Sequence, residues 1–189
     1  MAAPTCTATT YFVGNYYEKV VTSTTTKINK YYYAGAQRVA MRTGGTLFYL
    51  LGDHLGSTSL TLDALGNVVS ELRYTAWGEV RYQAGPTTTN YTYTVQYSDS
   101  YINLLWYGSR HYDPELGRFI SPDSIVPDLS NPQAYDRYSY TFNNPVKYVD
   151  PSGHKPCWAT AQYTCDKRDV TDWLAKALTD TASSMKLTL

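Results

Sequence analysis

The chain has 189 residues, 16 of them basic and 16 acidic, and its formal net charge is zero. Hydrophobic residues make up 43% of it, enough for a core, which excludes a chain that is disordered throughout. The balanced charge argues against binding to nucleic acids or to anionic membranes, because a protein needs a basic patch to neutralise phosphate groups.

The beginning of the chain has no basic stretch followed by an apolar one, so we expect no secretory signal peptide. No apolar run approaches the length of about 20 residues that a membrane-spanning helix requires. Tyrosine is unusually frequent, with 20 residues against 4 Phe and 4 Trp. A tyrosine-rich sequence of this kind favours half-buried β-strands.

Residues 11–83 alternate short apolar or aromatic segments with glycine-containing turns, which is the pattern of successive β-hairpins. Gly14-Asn15 predicts a two-residue hairpin turn, and the segments 34–36 and 63–67 predict two further turns. We therefore expect antiparallel hairpins side by side. Residues 84–92, rich in threonine, are expected to form a loop in solvent.

Residues 107–153 contain six prolines, which exclude a long helix or a central strand. We expect an irregular plug held by aromatic packing and buried polar contacts. The composition changes after Gly153, and apolar residues at helical spacing predict a short α-helix over about 169–182. Cys157 and Cys165 can form a disulfide in an oxidising compartment.

Four segments of the chain occur in an order that is typical of one family. They are GDHLGST at 52–58, YTAWGE at 74–79, YGSRHYDPELGRFISPD at 107–123 and NNPVKYVDPSG at 143–153. Together they resemble the RHS-repeat-associated core domain, the closing segment of Rhs and tyrosine–aspartate (YD) repeat proteins. In that family the segment ends a large β-shell, and a variable toxin or effector sequence follows it.

The resemblance implies an all-β fold in which YD-type hairpins form a curved segment of a shell. Residues 1–83 are expected to be degenerate YD-repeat hairpins, 84–153 the core plug, and 154–189 the start of a variable cargo segment. The chain would be the C-terminal part of a secreted or cell-surface bacterial shell, with the rest of that shell and the cargo as its partners. Its first strand is expected to leave an exposed edge, through which the fragment self-associates.

The resemblance also implies an intramolecular aspartyl protease. Asp123 matches the first aspartate, and Arg118 is the arginine expected to stabilise negative charge. Asp136 is the expected second aspartate, with Asp128 as the alternative. Two close carboxylates can share a proton, so that one acts as base and the other as acid. The cut is expected just after the 150–153 motif, between Gly153 and His154.

Two alternatives stay open on the sequence. Aspartates near prolines are common turn residues, because their side chains bond to their own backbone, so Asp123 and Asp136 can be purely structural. The whole module can equally be a non-proteolytic adhesion or interaction module of the cell surface. The cysteine and histidine spacings match no zinc site, and we expect neither a metal nor a cofactor.

Overall fold

A computed structural model describes residues 8–125 and 132–158 of the chain. They divide into two compact units. One contains the described residues up to Tyr74 together with Val80–Val95, and the other contains Thr75–Glu79 and the described residues from Gln96 onward.

The first unit is built on an eight-stranded sheet in which each strand pairs antiparallel with the next one in sequence. The strands are β1 (Ala8–Val13), β2 (Tyr17–Thr22), β3 (Thr26–Ala34), β4 (Gln37–Thr43), β5 (Thr46–Gly52), β6 (Thr58–Leu62), β7 (Val68–Tyr74) and β8 (Val80–Ala84). The series of hairpins predicted from the glycine-containing turns is thereby confirmed. The first turn has three residues rather than the predicted two, because Val13 pairs with Tyr17.

Four of the strand pairs contain a register shift. The shifts lie at Tyr32/Tyr33, Leu51/Gly52, Thr61/Leu62 and Arg73/Tyr74. A bulge of this kind bends its strand and increases the local twist. Their recurrence along the sheet is consistent with the expected curved sheet.

The same turn closes two successive hairpins. Asp53 and Asp63 each accept backbone N–H groups two and four residues later on Oδ1, at 2.8–2.9 Å. A glycine three residues after each aspartate has a positive φ, +81° at Gly56 and +86° at Gly66, a conformation that glycine adopts without the steric cost of a Cβ. An aspartate followed three residues later by glycine is therefore the local signal that sets this hairpin.

The segment that follows β8 is exposed at residues 85–87 and at Asn90 but buried at Thr89, Tyr91 and Thr92, which corrects in part the expectation of a solvent loop over 84–92. Thr89 and Tyr91 are 3% and 8% exposed. The hydroxyl of Thr58 donates to the carbonyl oxygen of Tyr91 at 2.8 Å, and that of Thr88 donates to the hydroxyl oxygen of Thr61. The segment covers the buried face of the sheet, and its threonines satisfy polar groups there.

The second unit contains a four-stranded and a two-stranded antiparallel sheet among its described residues. The first sheet consists of β9 (Tyr97–Asp99), β10 (Leu104–Trp106), β11 (His111–Asp113) and β12 (Arg118–Phe119); the second consists of β13 (Tyr148–Val149) and β14 (Cys157–Trp158). Single turns of 3₁₀-helix cover Pro132–Tyr135 and Thr141–Asn143, and a further one, Tyr93–Val95, lies in the first unit.

Four aromatic rings form the centre of the second unit. Tyr107, Tyr112, Phe119 and Tyr140 are at most 2% exposed, and their ring centres are 4.6–5.9 Å apart. The rings pack edge-to-face except in the tilted Tyr112–Tyr140 pair. Such packing stabilises a segment whose strands and helical turns are too short to form an ordinary core. The expected irregular plug held by aromatic packing corresponds to this arrangement.

Within 8–125 and 132–158, no helix is both long and apolar enough to cross a bilayer. The helix predicted over 169–182 lies outside the described residues.

Candidate active site

Arg110 is the central residue of a buried charged cluster in the second unit. It lies in the tight turn between β10 and β11, which is closed by a hydrogen bond from the Tyr107 amide to the Arg110 carbonyl at 2.9 Å. Its guanidinium carbon lies 3.6 Å from the ring centre of Phe119, and the side chain is 6% exposed. The turn and the ring together fix the direction in which the guanidinium points.

The guanidinium of Arg110 contacts two carboxylates and two carbonyls. Nη2 lies 2.9 Å from Asp123 Oδ2 and 3.8 Å from Asp150 Oδ2. Nη1 donates to the carbonyl of Arg137 at 2.8 Å, and Nε donates to the carbonyl of Gly153. Burial lowers the pKa of Arg110, while the two carboxylates raise it.

Asp123 is held by its backbone as well as by its carboxylate. Its amide donates to the carbonyl of Arg137 at 2.8 Å, and the residue is 4% exposed. Oδ1 accepts the amide N–H of Ile125 at 2.9 Å and lies 2.7 Å from Nδ1 of His154. Asp123 therefore contacts the residue that follows the expected cut.

Asp150 organises the segment that contains the expected cut. Its Oδ1 accepts four successive backbone N–H groups at 2.8–3.2 Å, those of residues 152, 153, 154 and 155. The residue is 2% exposed, and burial, only partly offset by Arg110 and these N–H groups, raises the pKa of its carboxyl. This one side chain folds residues 150–155 into a loop around itself.

Gly153 has to be a glycine in this loop. Its φ is +78°, and a Cβ at this position would lie 2.5 Å from Ser109 Oγ and 3.1 Å from the Tyr107 carbonyl oxygen. The hydroxyl of Ser109 in turn donates to the carbonyl of Ser152 at 2.8 Å. The close approach of the two chain segments brings the Gly153 carbonyl to Arg110.

The structure places the other two expected catalytic residues against each other. Arg118 Nη2 lies 3.0 Å from Asp136 Oδ2, and the two side chains are 52% and 40% exposed. Asp136 lies at the same cavity as Asp123, but the carboxylate that shares Arg110 with Asp123 is that of Asp150. Asp128 lies outside the described residues.

The cavity is lined by the charged side chains of the cluster and by a few apolar groups. The charged or titratable lining residues are Arg110, Asp123, Asp136, Arg137, Asp150 and His154. Two carboxylates and one guanidinium of this cavity thus lie beside the Gly153–His154 peptide bond. This arrangement suits acid–base hydrolysis of that bond.

Sequence reasoning missed Arg110 and Asp150 as members of the cluster. Both stand inside the quoted motifs, Arg110 in the segment 107–123 and Asp150 in the segment 143–153. An aspartate before proline has the pattern of a turn residue, so the sequence marks Asp150 only as part of the motif at the cut. The available signal for Arg110 was an arginine two positions before the Tyr112-Asp113 pair.

Among the described residues, no group of three or more His, Cys, Asp or Glu side chains could hold a metal ion. Cys157 is disulfide-bonded. Cys165, its predicted partner, lies outside the described residues, as does Cys6.

Comparison with known proteins gives one matching family model, that of the teneurin YD-shell, over residues 17–146. The chain is 34% identical over 109 residues to salivary gland surface protein 1 of Aedes aegypti, which covers 56% of this chain and 3% of that protein. It is 32% identical over 122 residues to double-stranded DNA deaminase toxin A of Burkholderia cenocepacia, a match that covers 62% of this chain and 8% of that protein. It is 29% identical over 147 residues to the tRNA3(Ser)-specific nuclease WapA of Bacillus spizizenii, a match that covers 73% of this chain and 6% of that protein.

Solved structures give the same fold. The TcdB2-TccC3 crystal structure matches with a TM-score of 0.64 and 25% identity, over 77% of this chain and 8% of that one. The Photorhabdus luminescens Tc holotoxin pore matches with a TM-score of 0.66 and 23% identity, over 79% and 8%. The chain thus spans less than a tenth of the length of each of these proteins.

Proposed function

The chain belongs to the teneurin YD-shell family, and we propose that it is the C-terminal part of an Rhs-type shell that cuts itself at the Gly153–His154 peptide bond. The rest of the shell and a cargo polypeptide that begins at about residue 154 are its partners. The cut separates that cargo from the shell. The similarity to toxins such as the DNA deaminase and the tRNA nuclease supports the role of a toxin carrier. Such a carrier would act outside the bacterial cell.

The single observation that carries the proposal is the position of the Arg110 guanidinium. It contacts the carbonyl oxygen of Gly153 and both the Asp123 and Asp150 carboxylates. A donor on the carbonyl oxygen of the bond to be cut stabilises the negative charge that develops there during attack. Arg110 therefore takes the role that the sequence had given to Arg118.

Asp123 is the base of the reaction. Its Oδ2 forms an ion pair with Nη2 of Arg110 at 2.9 Å. It takes a proton from a water molecule in the cavity while the water oxygen attacks the carbonyl carbon of Gly153. The oxygen of the resulting tetrahedral intermediate stays on Arg110 Nε.

Asp150 is the acid. Burial raises its pKa, which favours the protonated form, and its Oδ1 accepts the N–H of His154, the nitrogen that leaves, at 3.1 Å. Because Oδ1 accepts four backbone N–H groups, the proton of the neutral acid is on Oδ2, and it is this proton that is transferred. Proton transfer to that nitrogen accompanies cleavage of the carbon–nitrogen bond. The products are a carboxyl group on Gly153 and an amino group on His154.

Intact-mass measurement on the full chain tests the proposal. The wild type should yield two fragments joined at Gly153–His154, and Asp123→Asn and Asp150→Asn should each stay whole. Asp63→Asn is the matched control, because Asp63 caps an exposed turn in the other unit. A wild type that stays whole, or a cut that persists in both variants, contradicts the proposal.

A non-proteolytic surface module is the second candidate. The relative named salivary gland surface protein 1 favours it. Several aromatic side chains of the described residues are also exposed, such as Tyr11 at 57% and Tyr101 at 82%. The same mass experiment separates the two candidates, since this function needs no cut and tolerates Asp123→Asn.

A further inference from the structure

One oxygen of the proposed base is fully occupied. Asp123 Oδ1 accepts the Ile125 amide at 2.9 Å and meets His154 Nδ1 at 2.7 Å, so both of its lone-pair directions are taken. The other oxygen is held by Arg110 at 2.9 Å. A water molecule that is to lose its proton to Oδ1 therefore has to displace the imidazole first.

The imidazole is the exchangeable partner of Asp123. The Ile125 amide is fixed by the backbone and the Arg110 side chain is 6% exposed, whereas the His154 side chain is 22% exposed and faces the cavity. Rotation about its own side-chain bonds moves the ring into solvent without a change in the backbone. Such a rotation vacates the position from which water reaches both Asp123 and the adjacent peptide bond.

We propose that His154 is a gate on self-cleavage: its imidazole, bonded to Asp123, keeps water from the base, and its release permits the cut. This inference rests on the proposed self-cleavage. His154 acts through Asp123 and is thus a positioning residue. The cut also makes His154 the first residue of the released segment, so the gate leaves the site with the product.

The charge on the imidazole sets how firmly the gate is held. Imidazole ordinarily gains its proton between about pH 5 and 8. The charge-assisted bond of an imidazolium to a carboxylate is about twice as strong as a neutral one. The charged groups around the ring are Asp123 in contact, Arg110, Arg137, Asp136 and Asp150 at the cavity, and Lys155 next in sequence. We therefore expect the imidazole to stay on Asp123 more firmly at acidic pH than at neutral pH.

The pH profile of cleavage separates this gate from the acid–base pair. Loss of the imidazole proton gives a limb on which the rate rises with pH. Loss of the Asp150 proton gives a limb on which the rate falls at higher pH. Only the rising limb should depend on residue 154.

The experiment follows the full chain by intact mass. Chain purified uncut in denaturant is refolded into buffers from pH 5.5 to 8.5, and samples are quenched over time. Wild type is compared with His154→Leu, and His54→Leu serves as the control, because His54 is an exposed histidine of the other unit. Tryptophan fluorescence checks folding, and His154→Asn, which is polar but cannot take a proton, replaces the leucine variant if that one does not fold.

We expect the wild-type rate to rise at least about tenfold between pH 5.5 and 7.5, the size of effect that one hydrogen bond to a charged group produces. His154→Leu should lack this rise and should cut about tenfold faster than wild type at pH 5.5, while His54→Leu follows wild type. If cutting depends on Asp123 but its rate still rises with pH in the residue-154 variant, the gate is wrong and the self-cleavage stands. No cut in any variant at any pH, or a cut that persists when Asp123→Asn is added, overturns the gate together with the self-cleavage.

Discussion

The guanidinium carbon of Arg38 lies 3.5 Å from the ring centre of Tyr91, and this contact fastens the segment after β8 onto the sheet. The Tyr31 ring lies on the guanidinium as well, at 4.7 Å, and Arg38 Nε donates to the Tyr33 hydroxyl at 3.1 Å. Arg38 is 7% exposed, and its Nη1 has no hydrogen-bond partner. Contact with the aromatic faces thus compensates for an incomplete set of hydrogen bonds.

The Arg38–Tyr91 contact should be measurable as a coupling energy. Arg38→Met and Tyr91→Leu should each destabilise the first unit, and the double-mutant cycle should give about 1–2 kcal/mol of coupling, the range for a desolvated cation–π pair. Urea unfolding of the four proteins supplies the cycle. Arg38→Met combined with Tyr101→Leu is the control, because Tyr101 is 82% exposed. A coupling near zero for the first pair contradicts the assignment.

Buried tyrosines should make the first unit sensitive to alkali. Burial raises the pKa values of Tyr31, Tyr74 and Tyr91, and Glu18 adds to the increase at Tyr31 and Tyr91. A tyrosine whose pKa is raised in the folded state stabilises the fold fully below about pH 10, the ordinary pKa of tyrosine. This contribution is lost as the pH rises from there through the pKa of the folded state. Unfolding free energy measured from pH 8 to 11 should fall for wild type, and less steeply for Tyr74→Phe. Tyr101→Phe should retain the wild-type slope.

Local signals in the sequence were enough to predict the sheet. The pattern of an aspartate followed three residues later by glycine at 53–56 and 63–66 sets turn geometry within five residues. Such contacts can be inferred without knowledge of the rest of the fold. The burial of Tyr91 could not be inferred, since it depends on Arg38, 53 positions earlier in the chain.

The candidate site was predictable only in part, for the same reason. Asp123 and the position of the expected cut came from motifs. The grouping of Arg110, Asp123 and Asp150 depends on contacts between residues 13 to 43 positions apart, such as that from Arg110 to Gly153. The resemblance instead suggested Arg118 and Asp136, which do pair, but at 40–52% side-chain exposure.

Gly153 should tolerate substitution less well than another glycine of similar backbone conformation. Gly153→Ala brings a Cβ to 2.5 Å from Ser109 Oγ, whereas Gly35, at φ +63°, has open space around its Cβ position. Gly35→Ala should therefore cost about 1 kcal/mol, the backbone strain alone, and Gly153→Ala more than that. The Gly153 variant should also cut more slowly, because its carbonyl moves from Arg110. Equal costs in thermal unfolding would argue against a tight fit around Gly153.

Self-association through β1 stays a prediction. β1 is the edge strand of the described sheet, and it carries exposed Tyr11 and Val13, at 57% and 66%. Exposed apolar edges promote pairing with a second chain, and lysine on an edge discourages it. Light scattering should give a mass that increases with concentration for wild type and less so for Tyr11→Lys with Val13→Lys. A wild-type monomer at high concentration would rule the edge out.

Arg118 and Asp136 should be dispensable for cutting if Arg110 and Asp150 fill their roles. Arg118→Met and Asp136→Asn should each change stability by less than about 1 kcal/mol, because exposed ion pairs contribute little. Both should yield the same two fragments as wild type at a similar rate. Arg110→Met is the contrasting variant: it removes the donor to the Gly153 carbonyl and leaves Asp123 and Asp150 without their shared cation, so the cut should be lost. Loss of cutting in Asp136→Asn with retention in Asp150→Asn would return the acid role to Asp136.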